Sequence, residues 1–148
     1  MTVKRTMEAL VLATLCLAGA ARAAEFGTAE EAKAMLEKAV AAVKADKAAA
    51  LAKFTAGEGG FKDRDLYPFC GGPDGNFTAH PKLVGKSLKE LKDKAGKALG
   101  AEMYQVAAEG KIAEVAYVWP RPGATDPVAK VSFVTKVGDQ VCAVGYYK

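Results

Sequence analysis

Residues 28–54 follow a helical pattern of apolar and charged positions. Thr28 and Glu31, three residues apart, match a capping box at a helix N-terminus. Lysine and glutamate occupy much of one side, and apolar side chains recur on the other at Leu36, Val40, Val43, Leu51 and Phe54. The pattern predicts one amphipathic helix of about 25 residues, ended by the glycines of "GEGG" at 57–60.

Two short runs, "DLYPFC" and "NFTAH", flank the turn-forming stretch "GGPDG" at residues 71–75. Apolar residues bounded by Pro and Asp-Gly predict a β-hairpin with a five-residue loop. In that register Cys70 lies opposite Asn76, and His80 lies opposite Leu66. After the hairpin, "GKSLKELKDKAG" carries a second capping box, Ser87 with Glu90, and predicts a short helix.

The last third of the chain reads mainly as strands. "AEMYQVAAEG" first predicts one or two helical turns that end at Gly110. "KIAEVAYVWP", "AKVSFVTKV" and "QVCAVGYY" then predict three strands, and the last two are joined by a Gly138-Asp139 turn. Tyr117 and Trp119 share one face of the first of them. Five antiparallel strands with helices on the faces predict an α+β layer architecture.

The N-terminus has the layout of a secretory leader. Lys4 and Arg5 precede an apolar run over residues 9–18, and "ARA" supplies small residues before a cleavage point after Ala23. The run is shorter than the roughly 20 residues that a membrane-spanning helix needs. We therefore expect a signal peptide over residues 1–23 and one domain over 24–148, exported to the periplasm or secreted, without membrane insertion after cleavage.

Charge and cysteine content narrow the function classes. The formal net charge of the whole chain is +4, and loss of the leader brings it close to neutral, with both signs interspersed. This balance gives no support to nucleic-acid binding. Cys70 and Cys142 remain after cleavage, and an even pair in an oxidising compartment favours a disulfide. The alternative is that both are small buried thiols.

Cys70 and His80 raise the possibility of a nucleophile and its base. The predicted hairpin register puts them about 13 Å apart along the strands, whereas such a pair needs contact at about 3 Å. The single histidine provides no metal pair, and neither C-x-x-C nor G-x-S-x-G occurs. We therefore predict a protein that is not an enzyme and has neither a metal site nor a cofactor.

Several motifs, taken in order, resemble the single Cache domain of type 2. They are an Asp-Gly turn before His80-Pro81, a Gly-Lys before a helix, "VAYVWP", a lysine that opens the next strand and a closing "GYY". The resemblance covers roughly residues 30–148. It implies a PAS-like fold with an antiparallel sheet in the order 2-1-5-4-3, a long N-terminal helix on one face, and short helices and a ligand pocket on the other.

The resemblance also implies partners and a cysteine pairing. Cache domains are mostly extracytoplasmic sensors of chemoreceptors and histidine kinases, which often bind small organic acids or amino acids. In their topology Cys70 on strand 1 and Cys142 on strand 5 are neighbours, at the roughly 5 Å that a disulfide can span. This chain shows no transmembrane helix after the leader and no signalling domain after Lys148, so we expect a free-standing member that acts through a membrane partner.

Four residues are candidates for ligand contact. Tyr117 and Trp119 form either an aromatic wall or plain core. Lys130 is either an anchor for a ligand carboxylate or a solvated edge lysine. His80 either lines the pocket or bonds a backbone group at the strand end. Tyr67 and Phe69 share a face of strand 1 and are assigned to the core.

The sequence thus predicts a non-catalytic periplasmic sensor domain for chemotaxis or signal transduction. Its ligand would be a small carboxylate or an amino acid. The alternative is a structural or accessory protein that acts through its surface without a specific ligand.

Overall fold

A computed structural model describes residues 24–148; the predicted leader, residues 1–23, lies outside the described residues. Two helices, a pair of strands, a third helix and three strands follow one another along the chain. They are α1 Ala29–Ala45, α2 Lys47–Ala56, β1 Pro68–Gly71, β2 Phe77–Ala79, α3 Leu99–Val106, β3 Ala113–Pro120, β4 Pro127–Val137 and β5 Gln140–Tyr147.

The strands form one antiparallel five-stranded sheet in the order β2-β1-β5-β4-β3. This is the order that the family resemblance implied, and the α+β architecture is confirmed. β3, β4 and β5 form the predicted meander. Val137 pairs with Gln140 across the Gly138-Asp139 turn, where Gly138 takes a φ of +58° that glycine adopts at little cost.

The N-terminal helix begins as predicted but is divided in two. The Thr28 side chain accepts from Glu31 N, and Glu31 reaches back to the Thr28 N–H, which completes the capping box. At Asp46 the backbone is extended (φ −157°, ψ 100°), and its side chain accepts from Ala49 N. Asp46 therefore ends α1 and caps α2, because a short acidic side chain competes for backbone amides. Of the helices in residues 24–148, none combines the length and the apolar character needed to cross a membrane.

The register of the β1–β2 hairpin differs from the prediction. Cys70 pairs with Ala79 rather than with Asn76, and Gly71 pairs with Phe77, with a register shift between the two pairs. A β-bulge adds a residue to one strand, and counting outward from a turn does not reveal it. The Gly71–Phe77 pair next to the loop is already displaced by two residues from the predicted register, and the bulge adds a third at Cys70.

Gly71 accommodates this irregularity. A Cβ atom at Gly71 would lie 2.3 Å from Tyr104 Oη and 2.8 Å from a Leu88 methyl carbon. The loop then closes between Gly72 N and Asn76 O at 2.9 Å. Tyr104 on α3 and Leu88 in the loop after the hairpin approach so closely that this position requires glycine.

The helix predicted after the hairpin is wrong. Glu90 N donates to Ser87 Oγ at 3.1 Å, but residues 81–98 contain no helix or strand. The N–H groups of Leu88 and Lys89 donate instead to Gly75 O, at 2.8 and 2.9 Å. The helix fails one turn later: its ladder needs Asp93 N to donate to Lys89 O, but Asp93 N donates to Lys97 O at 3.0 Å, and Leu91 O accepts from Gly100 N at 3.2 Å.

The following helix, α3, forms as predicted but ends earlier. Its last residue is Val106, whereas the sequence placed its end at Gly110. Gly110 instead has a φ of +70°, between Ala108 and Lys111, which form an isolated bridge. The glycine therefore belongs to a turn that follows the helix.

The sheet separates two hydrophobic cores. On one face α1 and α2 pack on the sheet, with Leu36, Phe54, Cys70, Phe133 and Cys142 among the buried side chains. On the other face α3 and the 81–98 segment cover a second core that includes Phe69, Leu88, Leu99, Met103 and Val115. The predicted placement of helices on both faces is confirmed.

A disulfide joins the two central strands. Cys70 and Cys142 are direct partners in the β1–β5 register, their Cα atoms are 4.1 Å apart, and their sulfurs are bonded. Both residues are fully buried in the α1-side core. The predicted disulfide is thus present, and it joins positions at a sequence separation of 72.

We predict that reduction of this disulfide lowers the free energy of unfolding by about 2–5 kcal/mol, because the unfolded chain gains the entropy of a long open loop. Urea denaturation with and without reductant measures the change. The double variant Cys70→Ala/Cys142→Ala is the control and should not respond to reductant. An unchanged midpoint in fully reduced wild-type protein would contradict the prediction.

Candidate ligand-binding site

A cavity lies in the face of the sheet opposite α1. It spans about 230 Å³ between atoms, part of it open to solvent, and has free room for about one water molecule. Its walls are mostly aromatic and aliphatic, with one ammonium and one imidazole: Tyr67, Phe69, Phe77, His80, Leu91, Leu99, Tyr117, Trp119 and Lys130. All four residues singled out from the sequence meet here.

Lys130 is the most unusual residue of the cavity. It lies on β4, an interior strand, between Tyr117 of β3 and Tyr147 of β5. Its side chain is 2% exposed, so it is not a solvated edge lysine. Nζ donates to Tyr67 Oη at 3.2 Å and lies 4.6 Å from the Tyr67 ring centre and 4.8 Å from that of Tyr147.

No carboxylate within residues 24–148 lies in salt-bridge contact with Lys130. Burial lowers the pKa of its ammonium to about 7, while the negative charge of Asp65 acts in the opposite direction. The Tyr67 hydroxyl and the aromatic faces offset part of the lost hydration. A buried cation without a counter-ion is costly to keep charged, so this position favours an incoming anion.

Gly145 of β5 makes room for the Lys130 side chain. A Cβ atom at Gly145 would lie 2.3 Å from Lys130 Cε and 2.5 Å from Ser132 Oγ. The lysine stem therefore passes directly over this glycine on its way toward Tyr67. In the sequence Gly145 was noted only as part of the closing "GYY", with no role assigned.

His80 follows β2, where it bonds the backbone and also faces the cavity. Nδ1 accepts from Lys82 N at 2.9 Å, which fixes the chain as it leaves the strand. The neutral ring then carries its proton on Nε2, and the imidazole also lines the cavity. Burial first, and then the charges of Lys130 and Lys82, lower the pKa of His80 to about 4, so the imidazole is neutral at neutral pH.

Tyr117 packs in the core, whereas Trp119 lies at the edge of the cavity. The Tyr117 hydroxyl exchanges a 2.8 Å hydrogen bond with Ser132 Oγ, and its ring is buried within the second core. Burial raises the pKa of this phenol well above its usual value. Trp119 packs edge-on against Tyr117, with ring centres 6.3 Å apart, and is only partly buried. It therefore forms the rim of the cavity.

Five lining residues were not predicted as ligand contacts. Tyr67 and Phe69 were assigned to the core, and both are buried there, but they also line the cavity. The sequence signal for this position was their two-residue spacing around Pro68, which puts both side chains on the same face of the strand. The remaining three are Phe77, Leu91 and Leu99; Leu91 lies in the segment that was wrongly predicted as a helix.

The separation inferred for Cys70 and His80 is also wrong. Cys70 pairs with Ala79, so His80 comes directly after its partner rather than about 13 Å away along the strands. The two side chains nevertheless belong to opposite faces, since Cys70 packs in the α1-side core and His80 lines the cavity. The disulfide to Cys142 leaves no free thiol at Cys70 for a nucleophilic role.

Comparison with known proteins identifies the family. The family model described as the Cache domain (dCache_2) matches residues 27–146. The chain belongs to the Cache domain family. Cache chemosensory domains are non-catalytic sensor domains.

Similar solved structures are Cache sensor domains of chemotaxis proteins. A methyl-accepting chemotaxis protein from Vibrio parahaemolyticus RIMD 2210633 is 26% identical, with a TM-score of 0.65 over 80% of this chain and 86% of that chain. A periplasmic sensor domain of a chemotaxis protein is 28% identical, with a TM-score of 0.60 over 80% and 88% of the two chains. A third, described as the structural basis for carboxylic acid recognition by a Cache chemosensory domain, is 25% identical, with a TM-score of 0.60 over 80% and 86%.

A sequence relative is the methyl-accepting chemotaxis protein McpP of Pseudomonas putida (strain KT2440). It is 41% identical over 56 residues, which are 38% of this chain. The matched region spans only 10% of the length of that protein.

We predict that Gly145→Ala destabilises the protein by about 1–3 kcal/mol, because the added methyl group overpacks the Lys130 stem. Urea denaturation measures the loss. In a Lys130→Ala background the same substitution should cost less, since the main obstacle has been removed. Strictly additive effects of the two substitutions would contradict the contact.

We also predict that the stability cost of Lys130 depends on pH. The unfolded lysine titrates near its usual value of 10.5, while the folded one titrates at about 7. Between these values the unfolded state binds more protons, so the free energy of unfolding rises with pH. Compared with Lys130→Met, wild-type protein should therefore be least stable below about pH 7 and approach the variant toward about pH 10.

Urea denaturation of both proteins across this range gives the difference. Lys136→Met is the matched control, because Lys136 is an exposed lysine on the same strand. A pH-independent difference between wild type and Lys130→Met would contradict the prediction.

Proposed function

We propose that this Cache domain binds a small carboxylate in the cavity around Lys130. The observation that carries the proposal is the Lys130 ammonium itself, 2% exposed and without a carboxylate in contact among the described residues. A ligand carboxylate would supply the missing counter-ion. Charge-assisted hydrogen bonds of this kind are about twice as strong as neutral ones.

The other polar groups of the cavity suit the same ligand. The Tyr67 hydroxyl already contacts Lys130 Nζ, and His80 Nε2–H is a further donor. Around them the walls are apolar, which fits a short carbon chain. The cavity lining contains no acidic side chain that would pair with an α-ammonium, so the composition favours a simple carboxylate over an amino acid.

The relatives support this assignment. One similar structure is described as recognising carboxylic acid through a Cache chemosensory domain, and others belong to chemotaxis proteins. We infer that this chain is a non-catalytic periplasmic sensor domain. In this proposal the domain passes its liganded state to a membrane receptor or kinase.

A thermal-shift screen tests whether a ligand exists. We expect short monocarboxylates at millimolar concentration to raise the melting temperature, since stabilisation follows RT ln(1 + [L]/Kd). Amino acids and uncharged amides of similar size serve as comparison compounds. If no carboxylate stabilises the protein, the alternative of an accessory protein acting through its surface is favoured.

We predict that carboxylate affinity is highest between about pH 5 and 7 and falls above that range. The ligand needs the protonated lysine, whose pKa in the free protein is about 7. Binding above pH 7 should therefore take up close to one proton, which titration calorimetry in buffers of different ionisation enthalpy detects.

Two lysine variants test the anchor. Lys130→Met should reduce affinity by at least about tenfold, the factor expected for loss of a charged hydrogen bond. Lys136→Met, on the same strand but exposed, should bind as wild type. Unchanged affinity in Lys130→Met would remove the proposed anchor.

A further inference from the structure

The cavity has free room for about one water molecule, so a larger ligand needs part of its wall to move. Most of the lining residues lie in or beside strands or on α3. Leu91 is the exception, because it lies within residues 81–98, which form neither helix nor strand. Loops of this length inside a compact domain are uncommon and are often functional lids or binding loops.

The two halves of residues 81–98 are held differently. The first half bonds to the β1–β2 hairpin, with Phe77 N donating to Lys86 O at 2.8 Å and Gly85 N to Phe77 O at 2.9 Å. The second half, residues 90–98, is called the entrance loop below. Leu91, on this loop, is half-buried and packs against the second core.

Asp93 is the centre of the entrance loop. Its Oδ1 accepts from Ala95 N and Lys97 N, each at 2.9 Å, which folds the loop on itself. Its Oδ2 accepts from Val118 N at 3.0 Å, which ties the loop to the outer edge of β3. These donors lower the pKa of the carboxyl, and the Val118 N–H has the largest effect.

The point of attachment lies beside the candidate site. Val118 comes between Tyr117 and Trp119, which both line the cavity. A second tie reaches the same edge, where Lys97 Nζ donates to Ala116 O. The edge strand is thus covered by side chains of the entrance loop, and the rim residue Trp119 lies next to the tie.

We propose that the entrance loop is the movable wall of the cavity, and that Asp93 is the positioning residue that holds it closed against β3. Opening would break the Asp93–Val118 and Lys97–Ala116 bonds and withdraw Leu91, while the Oδ1 bonds keep the loop's own turn. The inference rests on the proposed function only in taking the cavity as a ligand site; the motion itself is measured without a ligand.

Asp93→Asn separates the two sets of bonds. The asparagine carbonyl can still accept from Ala95 N and Lys97 N, but its NH₂ group faces the Val118 N–H and cannot accept from it. We expect hydrogen exchange at the Val118 amide to accelerate by about tenfold, the factor for losing a hydrogen bond to a charged group. Collisional quenching by acrylamide should also increase, and the signal is specific because Trp119 is the only tryptophan.

Ser87→Ala is the matched control, since it removes the Glu90 N bond within the same segment without touching β3. It should leave both readouts at wild-type values. Leu91→Ala is the second test: it should increase quenching of Trp119 while exchange at Val118 stays slow. Leu91→Ala also tests the proposal on its own if Asp93→Asn does not fold.

The outcomes separate the two proposals. If Asp93 only stabilises the sheet edge, Asp93→Asn lowers the melting temperature but leaves Trp119 quenching in the folded protein unchanged, and the inference is overturned. Unchanged quenching in Leu91→Ala overturns it as well. If quenching and exchange change as expected but acetate and other short carboxylates fail to bind, the movable wall stands and the proposed ligand class falls.

Discussion

A single buried charge organises one face of this protein. The Lys130 ammonium lies in the interior of the sheet, where an ion without a partner is unfavourable. The neighbouring residues reduce that cost: Tyr67 accepts its hydrogen bond, the Tyr67 and Tyr147 rings lie within 5 Å, and Gly145 leaves space for the stem. None of these supplies a full negative charge, so the face is built around a cation that still lacks its anion.

The carboxylate that acts on Lys130, that of Asp65, already contacts other groups. Asp65 raises the pKa of Lys130, but its own carboxylate is 5% exposed and faces Arg121 Nε at 3.5 Å. Its other oxygen accepts from Gly27 N at 2.8 Å, just before α1. Asp65 therefore favours the charged form of Lys130 but forms no ion pair with it. His80, which the same lysine helps to keep neutral, adds a donor to the cavity rather than a second cation.

The sequence predicts this architecture well where local patterning and topology agree. The capping box at Thr28, the meander after Ala113 and the Cys70–Cys142 pair follow from short-range signals and from the family resemblance, and the structure has all three. Prediction from the sequence fails where a residue acts through tertiary contacts. Asp46 divides a periodic helix, the hairpin register shifts around Gly71, and Asp93 N donates to Lys97 O rather than continuing a helix from Ser87. For the same reason the sequence did not indicate that Leu91 lines the cavity or that Gly145 makes room for Lys130, since both roles depend on residues far along the chain.

The disulfide and the cavity lie on opposite faces, yet they depend on one register. Side chains alternate along β1, so fixing Cys70 against Cys142 on the α1 side also fixes the residues that point the other way. Phe69 pairs with Ala143 and Pro68 with Val144, so Tyr67, one step further, falls opposite Gly145. That step brings the Tyr67 hydroxyl to Lys130 Nζ. A slip of one residue between β1 and β5 would send Tyr67 and Phe69 to the α1 face. A covalent link at the centre of the pair opposes such a slip from the face opposite the cavity.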